Sequence, residues 1–114
     1  MSDCIFCKIA DGEIPSKKVY EDAAYFAFRD IEPQAPVHVV VIPRKHIPTL
    51  NDISATDPAE IGALLQACRL VARAENVAAS GYRVVINCNR DAGQAVFHLH
   101  AHVLGGRALS STFA

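Results

Sequence analysis

Apolar residues fall in short bursts along most of this chain and in one long stripe at helical spacing. Cys4 to Ala10 is a brief apolar piece, ended by the turn signal Asp11-Gly12 and then Pro15. Val19 to Glu21 and Ala24 to Arg29, rich in Val, Tyr and Phe, predict two short strands around a Glu21-Asp22 turn. Two prolines make Ile31 to Pro36 a loop. Val37 to Ile42 is the clearest strand, a β-branched run broken only by His38 and ended by Pro43.

One long helix follows. Asp57 suits its N-cap, Pro58 the first helical position, and Glu60 completes a capping-box pattern. Ile61, Leu64, Leu65, Cys68, Val71 and Ala72 recur at helical spacing and predict one apolar stripe, and Gly81 closes the segment. Tyr82 to Asn87 and His98 to Leu104 are the last predicted strands, joined by the polar loop Asn89 to Gln94. Strands with one helix packed across them indicate an α+β fold with an antiparallel meander.

Composition narrows the chemistry. The 114 residues suffice for one domain, and 51% of them are hydrophobic, so a core can form. A formal net charge of -1 argues against a nucleic-acid groove, so any phosphate must be met by a few local donors. The N-terminus carries no signal-peptide pattern and no apolar run is long enough to cross a bilayer. Four cysteines without an export signal predict a cytoplasmic chain with reduced thiols, in which a metal site is favoured over disulfides. Cys68 reads as core, and Cys88 as an exposed thiol of no assigned role.

The run His98-Leu99-His100-Ala101-His102 concentrates three of the five histidines. Side chains of a strand alternate, which predicts His98, His100 and His102 on one face and Phe97, Leu99, Ala101 and Val103 on the other. Such an imidazole face suits either metal chelation or nucleophilic attack at phosphorus or carbonyl centres, and spacing alone does not choose. Cys4 and Cys7 form a CxxC, a two-thiolate clamp suited to zinc.

The histidine run, extended to Val103-Leu104, resembles the motif of the histidine triad (HIT) superfamily. Cys4 to Ile9, Asp30 to His38, Ile42 to Ile47, Gly93-Gln94 and the tail His102 to Arg107 resemble its Hint branch, in order. The resemblance implies one HIT domain over 1–114, with a meander sheet of about five strands, one long helix and a short N-terminal helix. It implies a hydrolase of purine nucleoside 5′-phosphoramidates with His100 as nucleophile, His102 as a donor to phosphate or leaving group, and His38 as an orienting partner. Asn87, Gly93 and Gln94 fall where the family meets phosphate, Asp30 where it holds ribose, and Phe6, Ile9, Phe28 and Ile31 where it holds the purine. Cys4, Cys7, His46 and His98 match the ligands of a structural zinc that the chemistry itself does not require. Relatives are homodimers, and their C-terminal tails reach the partner's site, which would involve Leu109 to Ala114 here. One position departs: where relatives carry a hydroxyl after Gly-Gln, this chain has Ala95. Competing expectations are a dinucleoside polyphosphate hydrolase, a catalytic zinc held by the three histidines, and a purine nucleotide-binding module with little catalysis.

Overall fold

The structure is a computed structural model that describes residues 3–53 and 58–113. Its elements are α1 (Ile5–Ala10), β1 (Lys18–Glu21), β2 (Tyr25–Arg29), β3 (Val37–Pro43), α2 (Pro58–Ala74), β4 (Tyr82–Val85) and β5 (Ala101–Gly105). Single 3-10 turns lie at Leu50–Asp52 and Arg90–Ala92. The α+β class and the five-stranded antiparallel sheet are as the pattern indicates. Strand order departs from a simple meander. It is β1-β2-β3-β5-β4, because the connection carrying α2 takes the chain past β3 to the far edge, and β5 returns between the two.

The sheet separates two apolar layers by residue parity. Ala27, Val39, Val41, Leu99, Ala101 and Val103 face α2 and meet its Leu64, Ala67, Cys68, Val71 and Ala72. Each fully buried Val or Leu of this layer contributes about 1.5–3 kcal/mol. Phe26, Phe28, Val40 and Ile42 point the other way and are covered by Ile9 and Ala10 of α1. Arg44 staples that cover in place: its guanidinium donates to the Ala10 and Asp22 carbonyls and pairs with Glu21 at 2.8 Å.

Three expectations for α2 need correction or fall outside the description. Asp57 lies outside the described residues. Ile61 and Leu65 are 39% and 48% exposed, so the buried stripe runs through Leu64, Ala67, Cys68, Val71 and Ala72 instead. The helix stops at Ala74, well before Gly81, because Asn76 adopts a left-handed conformation (φ 60°) that cannot continue it. Farther on, Gly106 (φ +93°) must be glycine, since a Cβ there would lie 2.9 Å from Pro36.

The histidine run is only partly a strand. Ladder pairing begins at Ala101, so His98 and His100 sit on an extended lead-in held by the Leu99 amide, which donates to the Ile47 carbonyl at 2.6 Å. Alternation survives for Leu99, Ala101 and Val103, but Phe97 is 49% exposed and does not join the apolar face.

Candidate active site and metal site

His38 on β3, two residues before Val40, and His102 on β5, two residues after His100, share the sheet face opposite α2. Together with His100 they line a cavity of about 370 Å³, whose wall also includes Phe6, Asp30, Ile31, Asn87, Gly93 and Ala95. Its size lies in the range of small-molecule sites.

Hydrogen bonds determine where each ring carries its proton. The Gln34 amide donates to His38 Nδ1 at 3.0 Å, so that nitrogen is bare and neutral His38 is protonated on Nε2. His38 Nε2–H donates to His102 Nδ1 at 2.9 Å, with the Asp30 carboxylate 3.4 Å away. His102 Nδ1 is therefore an acceptor, and its own proton sits on Nε2. His100 Nδ1–H donates to the His98 carbonyl at 2.7 Å, which leaves His100 Nε2 with a free lone pair. Two adjacent imidazoles thus present opposite characters, one a bare ring nitrogen and one a donating N–H. Burial holds His102 far below the usual imidazole range, at about 4, with His100 and His38 pushing the same way. Burial also lowers His38, partly offset by Asp30. His102 is consequently a neutral donor at pH 7.

The metal-type donors fall into two clusters among the described residues. In the first, Cys4 Sγ lies 3.3 Å from His98 Nδ1, and Cys7 Sγ lies 3.5 Å from both His98 Nδ1 and His46 Nδ1. Tetrahedral zinc with ordinary Zn–S and Zn–N bonds requires sulfur–nitrogen edges of about 3.6 Å. The four donors fit. The far nitrogen of His98 donates to the Pro43 carbonyl at 2.7 Å, the outer contact that aims a metal-binding imidazole. Local structure builds this clamp, since Cys4 caps α1 and its sulfur accepts the Cys7 amide.

The second cluster, Asp30, His38 and His102, does not suit a metal. A metal on His38 Nε2 would need a proton on Nδ1, where the Gln34 N–H already points. His98 Nδ1 turns to the thiols and His100 Nδ1 to a carbonyl, so the three histidines of the run do not converge on one ion.

Other expected site residues divide. Phe6 and Ile31 line the cavity, Ile31 being 94% exposed. Ile9 and Phe28 do not; both are buried beneath it, with the Phe28 ring edge-on to Phe6 at 5.5 Å. Gly93 lines the wall in a left-handed conformation (φ +84°) that closes the Arg90–Ala92 turn. Gln94 is turned into the protein and does not line the cavity. Its Oε1 accepts the Asn89 amide, and its Nε2 donates to the Pro48 and Val96 carbonyls. Gln94 braces the loop from behind. Four lining residues had no role in the sequence reading: Glu32, Gln34, Val40 and Val96. Val40 was reachable by the two-residue period from His38, whereas Gln34 acts through a backbone amide and leaves no side-chain signature.

A family model described as "HIT domain" matches residues 11–109. The chain is 46% identical to a purine nucleoside phosphoramidase of Escherichia coli (strain K12), over 98% of this chain and 94% of that one. Among solved structures, a HIT family hydrolase from Legionella pneumophila Philadelphia 1 is 48% identical, with a TM-score of 0.91 over 96% of this chain and 97% of that one. A histidine triad protein from Clostridium difficile is 43% identical, with a TM-score of 0.94 over 99% and 98%.

Proposed function

This chain belongs to the HIT domain family and is a hydrolase of that family, and from that premise we propose that it cleaves purine nucleoside 5′-phosphoramidates through a nucleotidyl intermediate on His100. The observation that carries the reading is the proton order of the two rings: a bare Nε2 on His100 beside a donating Nε2–H on His102. His100 Nε2 attacks phosphorus while His102 donates to a phosphoryl oxygen and spreads its charge. The phosphorus–nitrogen bond to the leaving amine breaks, its electron pair passes to nitrogen, and the amine takes a proton from water. Water then attacks the nucleotidyl-histidine and gives up a proton that neutralises the hydroxide left by the first step; the bond to Nε2 breaks, and the pair returns to His100 with release of the nucleoside monophosphate. Phe6 and Ile31 are the residues suited to the base, Asp30 to the ribose hydroxyls, and Asn87 and the Gly93 backbone to phosphate. Ala95 offers no hydroxyl at the cavity wall, so charge stabilisation rests more heavily on His102.

Cys4, Cys7, His46 and His98 would hold zinc as a structural clamp, tying α1 to the lead-in of β5. A second copy of the chain is the expected partner. Ile61 and Leu65 are exposed on α2, and β4 is an edge strand, which together offer an apolar and hydrogen-bonding face for a homodimer. Sedimentation of Leu65→Glu against the parent chain tests that reading. No described helix is long and apolar enough to cross a membrane.

Steady-state hydrolysis of adenosine 5′-phosphoramidate tests the activity. His100→Ala should lose turnover by a factor of at least about 10³ while retaining nucleotide binding. Undiminished hydrolysis by that variant would sink the proposal.

A further inference from the structure

One peptide unit, that between His98 and Leu99, belongs both to the metal site and to the nucleophile. Its carbonyl accepts His100 Nδ1–H at 2.7 Å. Its N–H donates to the Ile47 carbonyl at 2.6 Å. The residue on one side, His98, is a member of the Cys4-Cys7-His46-His98 cluster. The residue preceding Ile47 is His46, a second member of the same cluster. The four donors therefore grip both flanks of this peptide, and the third anchor, His98 Nε2–H to the Pro43 carbonyl, fixes the ring itself. His98 itself is 0% exposed, so its ring lies away from bulk solvent.

We propose that the metal clamp positions the nucleophile: by fixing the His98–Leu99 peptide it holds His100 as the Nδ1–H tautomer with Nε2 aimed at phosphorus. In this role His98 is a positioning residue. It touches no substrate and acts through the carbonyl it offers to His100. The inference rests on His100 being the nucleophile, but its first readout does not. A peptide free to tilt ceases to select one His100 tautomer, and the ring then spends part of its time with its proton on the attacking nitrogen. Only the fraction with a bare Nε2 reacts, so adduct formation slows in proportion. Displacement of a catalytic group by about 1 Å costs up to about a hundredfold, which sets the scale.

The test compares the Zn2+-loaded chain with the same chain stripped by a chelator, and with Cys7→Ser, using Zn2+ alone as the probe. Nitrogen-15 spectra of the imidazoles report the His100 tautomer without substrate. Single-turnover mixing with adenosine 5′-phosphoramidate, read by mass spectrometry, reports adduct formation, and calorimetry reports AMP affinity. The expected result is a single Nδ1–H tautomer in the loaded chain and a mixture in the stripped chain. Adduct formation should slow about 10- to 100-fold with AMP affinity held within about threefold, and Zn2+ should restore both readouts. Cys88→Ser serves as the thiol control and should behave as the parent. A stripped, folded chain that keeps the Nδ1–H tautomer overturns the positioning role whatever the catalytic outcome. A tautomer that shifts with metal while no adduct ever forms on His100 instead overturns the nucleophile assignment. Should stripping unfold the chain, Cys7→Asp, which retains a fourth but weaker ligand, is measured in its place, and an unchanged tautomer and adduct rate then overturn the proposal.

Discussion

Replacing Gln94 with Met is the sharpest test of how the loop at the cavity wall is held. Met matches Gln in length and fills the same space, so packing changes little while every side-chain hydrogen bond is lost. Three bonds go: Asn89 N–H to Oε1 at 2.8 Å, and Nε2 to the carbonyls of Pro48 at 2.9 Å and Val96 at 3.0 Å. At about 1 kcal/mol net for each, the loss is about 3 kcal/mol, with more if a stranded group cannot reach water. Gln94 is only 6% exposed, so the site has little means of compensating. Urea unfolding followed by circular dichroism measures the loss as a lower midpoint at unchanged slope. Because Gly93, Ala95 and Val96 line the cavity, kcat/KM for adenosine 5′-phosphoramidate should also fall, while Gln94→Glu should be worse than Met since its carboxylate oxygen would face two carbonyls. A stability loss below about 1 kcal/mol would refute the bracing role, because at least two of the three bonds would then contribute nothing.

Two further outcomes follow from the proton order. His38→Phe preserves ring packing but removes the donor to His102 Nδ1, freeing the His102 tautomer; kcat should fall about 10- to 100-fold with AMP affinity little changed, and equal losses in both would contradict an orienting role. Acid should destabilise the fold through His102, whose folded value of about 4 lies below its ordinary 6.5. The unfolded chain binds a proton that the folded chain refuses as pH falls from 6.5 to 4, so stability is intact above that window and drops across it by up to about 3 kcal/mol. Unfolding midpoints of His102→Gln across the same window should decline less steeply than those of the parent, and parallel declines would contradict the assignment.

Much of the fold was legible because its periodicities are strong. The β-branched run of β3 and the prolines around it mark the central strand, and Pro58 marks the start of α2. The buried side of α2 was less legible, because Ile61 and Leu65 belong to the same hydrophobic pattern as Leu64 and Cys68 and only the packed sheet shows which ones it covers. Strand order was out of reach: β5 pairs with both β3 and β4 through backbone bonds that carry no residue signature. At the site, the resemblance implied Cys4, Cys7, His46 and His98 as one ligand set and His38 as an orienting partner of the triad; the four donors lie together, and His38 meets His102. Gln94, Ile9 and Phe28 lie behind the cavity wall, and their residue types serve a wall and its foundation equally well. The feature that assigns the chemistry, the protonated nitrogen of each ring, depends on the Gln34 amide and the His98 carbonyl. Those are main-chain groups, silent in a sequence.

The proposed chemistry depends on a covalent bond between His100 Nε2 and phosphorus. Quenching the enzyme in acid-free denaturant within a single turnover of adenosine 5′-phosphoramidate, followed by peptide mapping with tandem mass spectrometry, tests it directly. The expected result is an adenylyl group on the peptide carrying His98, His100 and His102, localised to His100 and absent from His100→Ala. Turnover with no adduct at any point of the time course, or an adduct localised to His98 or His102, would contradict it.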